Sequence, residues 1–317
     1  MNRTHLQRAQ ILFFVCVLTL TYPSAAAKKN GFDLSKSIVS AKLIKQGGPP
    51  RDGIPSIDKP SFFAARVPFL RDTHRILGVV IDGEARAYPI PILTHHEIVN
   101  DIIAGRPIVI TYCPLCRSGM AFEASIQGSI KSFGVSGLLY NSDVLLYDRK
   151  TESLWSQIMG EAISGPLVGK KLTLVPISNT TWGAWKKEHP RSLVLSPKTG
   201  FKIDYTRQLY PGYDKSRNIW FPVAKRSRRL HPKALVVGLE LDGEFKAYPL
   251  KELKHAAPQF QDRFSGQTVK VLYDSKSESA TIQTEDGSTL PTVTLYWFSW
   301  YAFHPNTLLY QSTASKD

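Results

Sequence analysis

The sequence predicts a β-rich α+β protein built from two related strand-hairpin and short-helix units, the first with an insert of about 46 residues. Three observations point there: a decapeptide that occurs twice, β-branched runs cut by hairpin signals, and two Trp-rich segments ending in His-Pro.

Ile81-Asp82-Gly83-Glu84-Ala85-Arg86-Ala87-Tyr88-Pro89-Ile90 returns as Leu241-Asp242-Gly243-Glu244-Phe245-Lys246-Ala247-Tyr248-Pro249-Leu250, 160 positions later. Downstream, Leu93 pairs with Leu253, His95 with His255, Asp101 with Asp262, Gly105 with Gly266 and Tyr112 with Tyr273. Trp182, Trp185, His189 and Pro190 match Trp297, Trp300, His304 and Pro305 at an offset of 115. The difference in offsets places the insert at about 133–178.

Within the first unit, 78–81 and 85–88 flank Asp82-Gly83, a hairpin turn signal. Residues 89–103 read as a short helix, and 108–112 as a buried strand. Residues 122–126 and 130–135 flank Gly128 as a second hairpin. Residues 182–188 form a short helix stopped by His189-Pro190, and 193–195 a strand. Residues 196–218 are rich in Pro, Gly and mixed charge and read as a connection.

The N-terminus has the pattern of a secretory signal. Arg3 and Arg8 precede an apolar run at 11–22, too short to span a bilayer, and Ala25-Ala26-Ala27 offers a cleavage site. Cys16 would leave with that segment. Removing Arg3 and Arg8 takes 40 basic residues to 38 against 26 acidic, a formal charge of +12. The expected organisation is a signal at 1–27, an N-terminal segment at 28–52, a first unit at 53–196, a connection at 197–222 and a second unit at 223–317. The mature chain has no further stretch apolar enough for a membrane. It is expected in the periplasm or outside the cell, with at most weak association to an anionic surface. The basic cluster Lys225-Arg226-Ser227-Arg228-Arg229 lacks interleaved aromatics, so nucleic acid is not expected as a partner.

The repeat supplies an internal control. Residues present in both units, including Asp101, His189 and His304, are assigned to scaffold. Cys113 and Cys116 align instead with Asp274 and Ser277, and His96, Glu97 and Asn100 have no counterpart. A C-x-x-C pair serves as redox dithiol, half a metal site or haem attachment; Arg117 after the second Cys excludes the last, which needs His. A redox pair suits an oxidising compartment and a cationic neighbour, yet thioredoxin-type motifs open a helix, whereas a strand is expected here. A metal-binding knuckle between strands fits better, with zinc or copper as the candidate ion. Its ligands would be Cys113, Cys116 and His96, with Glu97, His95 or Asp143 as further candidates. A Cys nucleophile with His96 as base, and Glu97 beside it, is a third reading. Asn141 and Asp143 are candidates to orient the ligands. The rival class is a non-enzymatic binding or surface-interaction module in which Cys113 and Cys116 form a structural disulfide.

Gly83-Glu84-Ala85-Arg86-Ala87-Tyr88-Pro89, His96-Glu97-Ile98-Val99-Asn100-Asp101, Tyr112-Cys113-Pro114-Leu115-Cys116, the run 133–143 and Leu154-Trp155-Ser156-Gln157 together resemble the domain-of-unknown-function family 3179. The resemblance extends from about 53 to about 309. It implies a bacterial or archaeal, often exported protein without an assigned activity. The sequence departs from that pattern at His95, where Trp is usual, and at Arg117, where Gly is common. The first departure favours His96 as the functional histidine; the second weakens a tight turn after Cys116.

Overall fold

The structure, a computed structural model, describes residues 28–64 and 67–312. The expected signal segment and Cys16 lie outside the described residues. The chain begins with β1 (Lys28–Lys29), β2 (Phe32–Asp33), β3 (Ile44–Gln46) and β4 (Phe62–Ala64). It continues through β5 (Arg75–Ile81), β6 (Glu84–Pro89), α1 (Ile90–His96), β7 (Ile98–Ile103), β8 (Arg106–Cys113) and β9 (Ser118–Glu123). A small hairpin, β10 (Ser125–Ile126) and β11 (Ser129–Ile130), precedes β12 (Phe133–Tyr140), β13 (Asp143–Asp148), β14 (Leu154–Ser156) and β15 (Glu161–Ser164). β16 (Leu174–Val175), β17 (Ser178–Thr181), α2 (Trp182–Glu188) and β18 (Leu193–Leu195) follow. Neither helix nor strand forms from 196 to 234. The rest comprises β19 (Leu235–Leu241), β20 (Glu244–Pro249), α3 (Leu250–Leu253), β21 (Gln259–Phe264), β22 (Gln267–Asp274), β23 (Ser279–Gln283), β24 (Thr292–Tyr296), α4 (Trp297–Phe303) and β25 (Leu308–Leu309).

The molecule is β-rich with few helices and several sheets, as expected. No helix among the described residues is long and apolar enough to cross a membrane. The Asp82-Gly83 hairpin forms as read: both residues take positive φ, and Ile81 faces Glu84. The 89–103 helix is a correction. It stops at His96, Glu97 turns left-handed (φ 58), and Ile98–Ile103 is a strand paired with β8. The β-branched run Ile98-Val99 and Ile102-Ile103 supplies residues that prefer a pleated, half-buried surface. The hairpin at Gly128 is shorter than read, because β10 and β11 hold only two residues each before β12 begins.

Order within the sheets places the site. One sheet runs β17-β5-β6-β18-β4, another β16-β9-β8-β7, and a third β15-β14-β13-β12-β3. C-terminal to residue 234 the sheets run β24-β19-β20-β25 and β21-β22-β23. In both halves a helix packs a Trp ring against a strand glycine: Trp185 on Gly78, Trp300 on Gly238. The Trp185 indole N–H donates to Ser192 Oγ (2.8 Å) and that of Trp300 to Thr307 Oγ1 (2.9 Å). His189 and His304 follow as helix caps with rings against those same indoles. Asp101 and Asp262 also act as scaffold. Each carboxylate accepts from a tyrosine hydroxyl, Tyr88 (2.5 Å) and Tyr248 (2.8 Å), and pairs with Arg86 or Lys246.

One core cluster joins the halves. Cys113, Cys116, Phe133 and Trp155 lie in it with Val236, Trp297 and Trp300. The Tyr296 N–H donates to the Cys116 carbonyl (2.9 Å), so the cysteine turn is pinned to the second half.

Candidate metal centre

The turn begins where β8 runs out. Cys113 pairs with Ser118 across a hairpin whose loop is Pro114-Leu115-Cys116-Arg117. Arg117 closes it at φ 54, in the left-handed region that favours glycine. The same register occurs at 274–279, where Asp274 pairs with Ser279 and Glu278 stands at φ 46. There the Ser277 hydroxyl donates to Asp274 Oδ2 (2.5 Å) and the Lys276 N–H to Asp274 Oδ1 (2.9 Å). A carboxylate–hydroxyl clasp thus closes a turn of this register without sulfur. Arg117→Gly is therefore expected to stabilise the protein by about 1 kcal/mol, read as a higher urea midpoint at unchanged slope. A fall in midpoint would show that the Arg117 side chain outweighs its backbone strain.

The turn between β12 and β13 meets the thiols from the other side. Asn141 (φ 51) and Ser142 (φ 66) form a two-residue hairpin turn that aims the Ser142 carbonyl at the sulfurs. The Cys116 thiol donates to it at 3.2 Å and the Cys113 thiol at 3.9 Å. Asn141 anchors the turn: its Oδ1 accepts from the Ala224 N–H (2.8 Å), and its Nδ2 donates to the Ala302 carbonyl (3.4 Å). Asn141 accordingly positions the loop through the second half of the chain.

Asp143 opens β13 and is fully buried. The Ile158 N–H donates to its Oδ2 (3.1 Å), and the Ser118 hydroxyl lies 3.5 Å from its Oδ1. That hydroxyl donates to Gln157 Oε1 (2.6 Å), and Gln157 Nε2 donates to Thr111 Oγ1 (2.8 Å). Every member of this chain is buried, so its bonds fix the Asp143 carboxylate in place.

Cys113 and Cys116 are free, buried and 3.6 Å apart. With Asp143 they form the one group of three candidate metal ligands among the described residues; their ligand atoms lie within 4.8 Å of one another. Two thiolates each about 2.3 Å from a tetrahedral ion would stand roughly 3.8 Å apart, close to the spacing observed.

Glu97 adds a fourth acid. Its backbone bridges α1 and β8, accepting from the Tyr112 N–H (2.7 Å). Its buried carboxyl receives no hydrogen bond among the described residues, and burial followed by the nearby Asp143 raises its pKa to about 8. Burial raises Asp143 to about 7. The thiols are pushed up as well, by burial first, with the Asp143 charge adding to it. Neither carboxylate has a Lys, Arg or His partner within ion-pair distance among the described residues. Four buried acids therefore hold protons that a cation would displace.

His96 is placed differently. Its Nδ1 bonds the Pro55 carbonyl (2.7 Å) and its Nε2 the Tyr205 hydroxyl (2.6 Å), so both ring nitrogens are engaged away from the three-ligand group. His95 lies edge-on to the Tyr205 ring at 5.5 Å. The two histidines hold the 196–218 segment onto the first half. Residues beyond the expected set complete the surroundings: Tyr210 and Tyr213 come from that segment and lie over the turn, and the pKa values of both hydroxyls are pushed up, by burial first and then by neighbouring charges that include Cys113. Ser299 of α4 faces Cys116. No local pattern in the sequence marks these residues, which arrive from segments roughly 100 or more positions away.

No curated protein and no solved structure matches the chain. A family model matches residues 51–290, a span that contains the strand–turn–strand of the cysteines, the Asn141-Ser142-Asp143 loop and Glu97. On that match the chain belongs to the family described as "Protein of unknown function (DUF3179)".

Proposed function

We propose that Cys113, Cys116 and Asp143 bind one divalent transition-metal ion, with Glu97 as a buried acid beside it. The observation that carries this reading is the convergence of three buried ligand atoms within 4.8 Å on two hairpin turns, without a cationic partner for the carboxylate among the described residues. A dithiolate alone suits copper(I), but the added carboxylate oxygen favours zinc. Three protein ligands leave a position for an exogenous molecule, as in catalytic rather than closed zinc sites. Glu97, protonated near neutrality, is suited to proton transfer at that position. A redox role for the dithiol has less support, because burial and acidic neighbours disfavour the thiolate.

Purified mature protein is expected to carry about one equivalent of zinc by elemental analysis. Cys113→Ser and Asp143→Asn should each lower retention after dialysis at least tenfold, while His96→Gln should retain the metal. Metal-free protein whose thiols oxidise and re-reduce would select the dithiol instead. A permanent Cys113–Cys116 disulfide would select the binding-module reading.

We also infer export. The basic n-region, the short apolar run and the Ala25-Ala26-Ala27 site support it, and N-terminal sequencing of secreted protein should begin at Lys28. The two-unit organisation is a further reading of ours. Its support is the shared order of hairpin, short helix, three consecutive antiparallel strands, strand, Trp helix and strand, with the β12–β15 strands and the β16 edge strand falling in the inserted stretch. On that reading, the insert delivers Asp143 to a turn whose partner copy has Asp274 and Ser277.

A further inference from the structure

A cavity of about 460 Å³ opens beside the cysteine turn. Pro114 and Arg117 of the turn line it together with Arg75 from β5. Tyr112, Tyr210, Tyr213 and Tyr296 give it aromatic walls. Its size falls in the range of small-molecule sites, and its lining combines flat apolar surface with a few convergent polar groups.

The charge in that lining is unbalanced. Arg75 and Arg117 have no carboxylate within ion-pair distance among the described residues. Arg75 is held by neutral acceptors: its Nη2 donates to Asn179 Oδ1 (2.6 Å) and to the Asn179 carbonyl (2.5 Å), its Nε to Asn179 Oδ1 (3.2 Å) and its Nη1 to the Ser277 carbonyl. One of its five N–H groups is left over, and Glu278 acts on its charge only from beyond ion-pair distance. Burial and the nearby Arg117 together lower the Arg75 pKa to about 10. Arg117 reaches this wall from a left-handed backbone that costs the turn stability. The lining includes one acid, Asp214, which is exposed. A second observation points the same way. Tyr213 lines the cavity, and its buried hydroxyl has no hydrogen-bond partner among the described residues.

We infer that this cavity binds a small organic anion, its carboxylate or phosphate group received by Arg75 and Arg117 and its body packed against the tyrosines. Guanidinium forks match the planar oxygens of either group. The Tyr213 hydroxyl supplies a further donor. The inference goes beyond the metal site and does not depend on it, since the charge belongs to the cavity wall.

Benzoate, phenyl phosphate and neutral benzamide, titrated by calorimetry into protein as purified and into chelator-treated protein, test this. Benzoate or phenyl phosphate should bind both forms at least tenfold more tightly than benzamide; the tighter of the two identifies the preferred anion. Arg117→Gly, whose backbone is relieved by the change, should unfold no earlier than wild type yet lose at least tenfold in anion affinity. Arg226→Gln, in the basic cluster at 225–229, should change nothing. Equal affinity for benzamide, or full affinity in Arg117→Gly, would overturn the proposal. Anion binding that disappears on chelation would assign the anion to a metal and refute the role of the arginines. Anion binding to protein that carries no metal would leave this inference standing while the metal site fails.

Discussion

Chelated protein is expected to lose stability as the pH rises from about 4 to about 8, and zinc-loaded protein to gain it. Burial raises Glu97 from 4.5 to about 8 and Asp143 from 3.8 to about 7. Between the unfolded and folded pKa values the native state therefore binds more protons than the unfolded chain. Stability then falls with rising pH, because the slope follows unfolded minus native proton uptake. The contribution is fully present below about pH 4 and lost as pH climbs through the folded values. Each shift corresponds to roughly 4–5 kcal/mol, a large fraction of a typical domain's stability, and the two are not additive because the Asp143 charge is part of the Glu97 shift. A divalent ion inverts the slope, since it binds deprotonated ligands and gains affinity as pH rises. Urea unfolding at pH 5 and pH 8, with chelator and with excess zinc, reads both slopes. Glu97→Gln should flatten the chelated slope. Chelated protein that is more stable at pH 8 than at pH 5 would contradict the burial of these acids.

The second large effect lies in the packing. Gly238→Ala would place a methyl group 2.3 Å from Cζ3 of Trp300, and Gly78→Ala one 2.4 Å from Cζ3 of Trp185. Both rings are buried and tied by indole hydrogen bonds, and each glycine sits mid-strand between two neighbours. The ring cannot retreat without losing its bond or its cap histidine. Each substitution is expected to cost about 3 kcal/mol, at the upper end of overpacking. In a Trp300→Leu background, where the large ring is gone, Gly238→Ala should cost at least 1 kcal/mol less. Additive costs in that cycle would show that the glycine is needed for its backbone alone.

Much of the scaffold was legible in sequence because its causes are local. Asp82-Gly83 turns the chain by its own φ preference, and His189-Pro190 stops α2 by proline's geometry. The early end of α1 was not legible. Residues 89–97 continue smoothly in composition, and the helix gives way because Ile98–Ile103 is claimed by pairing with β8. The strand–turn–strand setting of Cys113 and Cys116 was likewise readable from alternation and β-branching.

The site divides along the same line. Sequence by itself determined that the two cysteines sit on a turn between strands; the structure shows a turn of the same register at 274–279 that closes through Asp274 and Ser277 without sulfur. Only the tertiary structure decided which residue joins them. His96 lies on the helix just before the cysteine strand, yet its ring nitrogens are taken by Pro55 and Tyr205. Asp143 arrives instead from a hairpin whose turn is pinned to the second half through Asn141. Spacing along a chain encodes which groups share a turn. Which buried acid faces that turn depends on how separate sheets pack, and on where burial leaves charge without a partner.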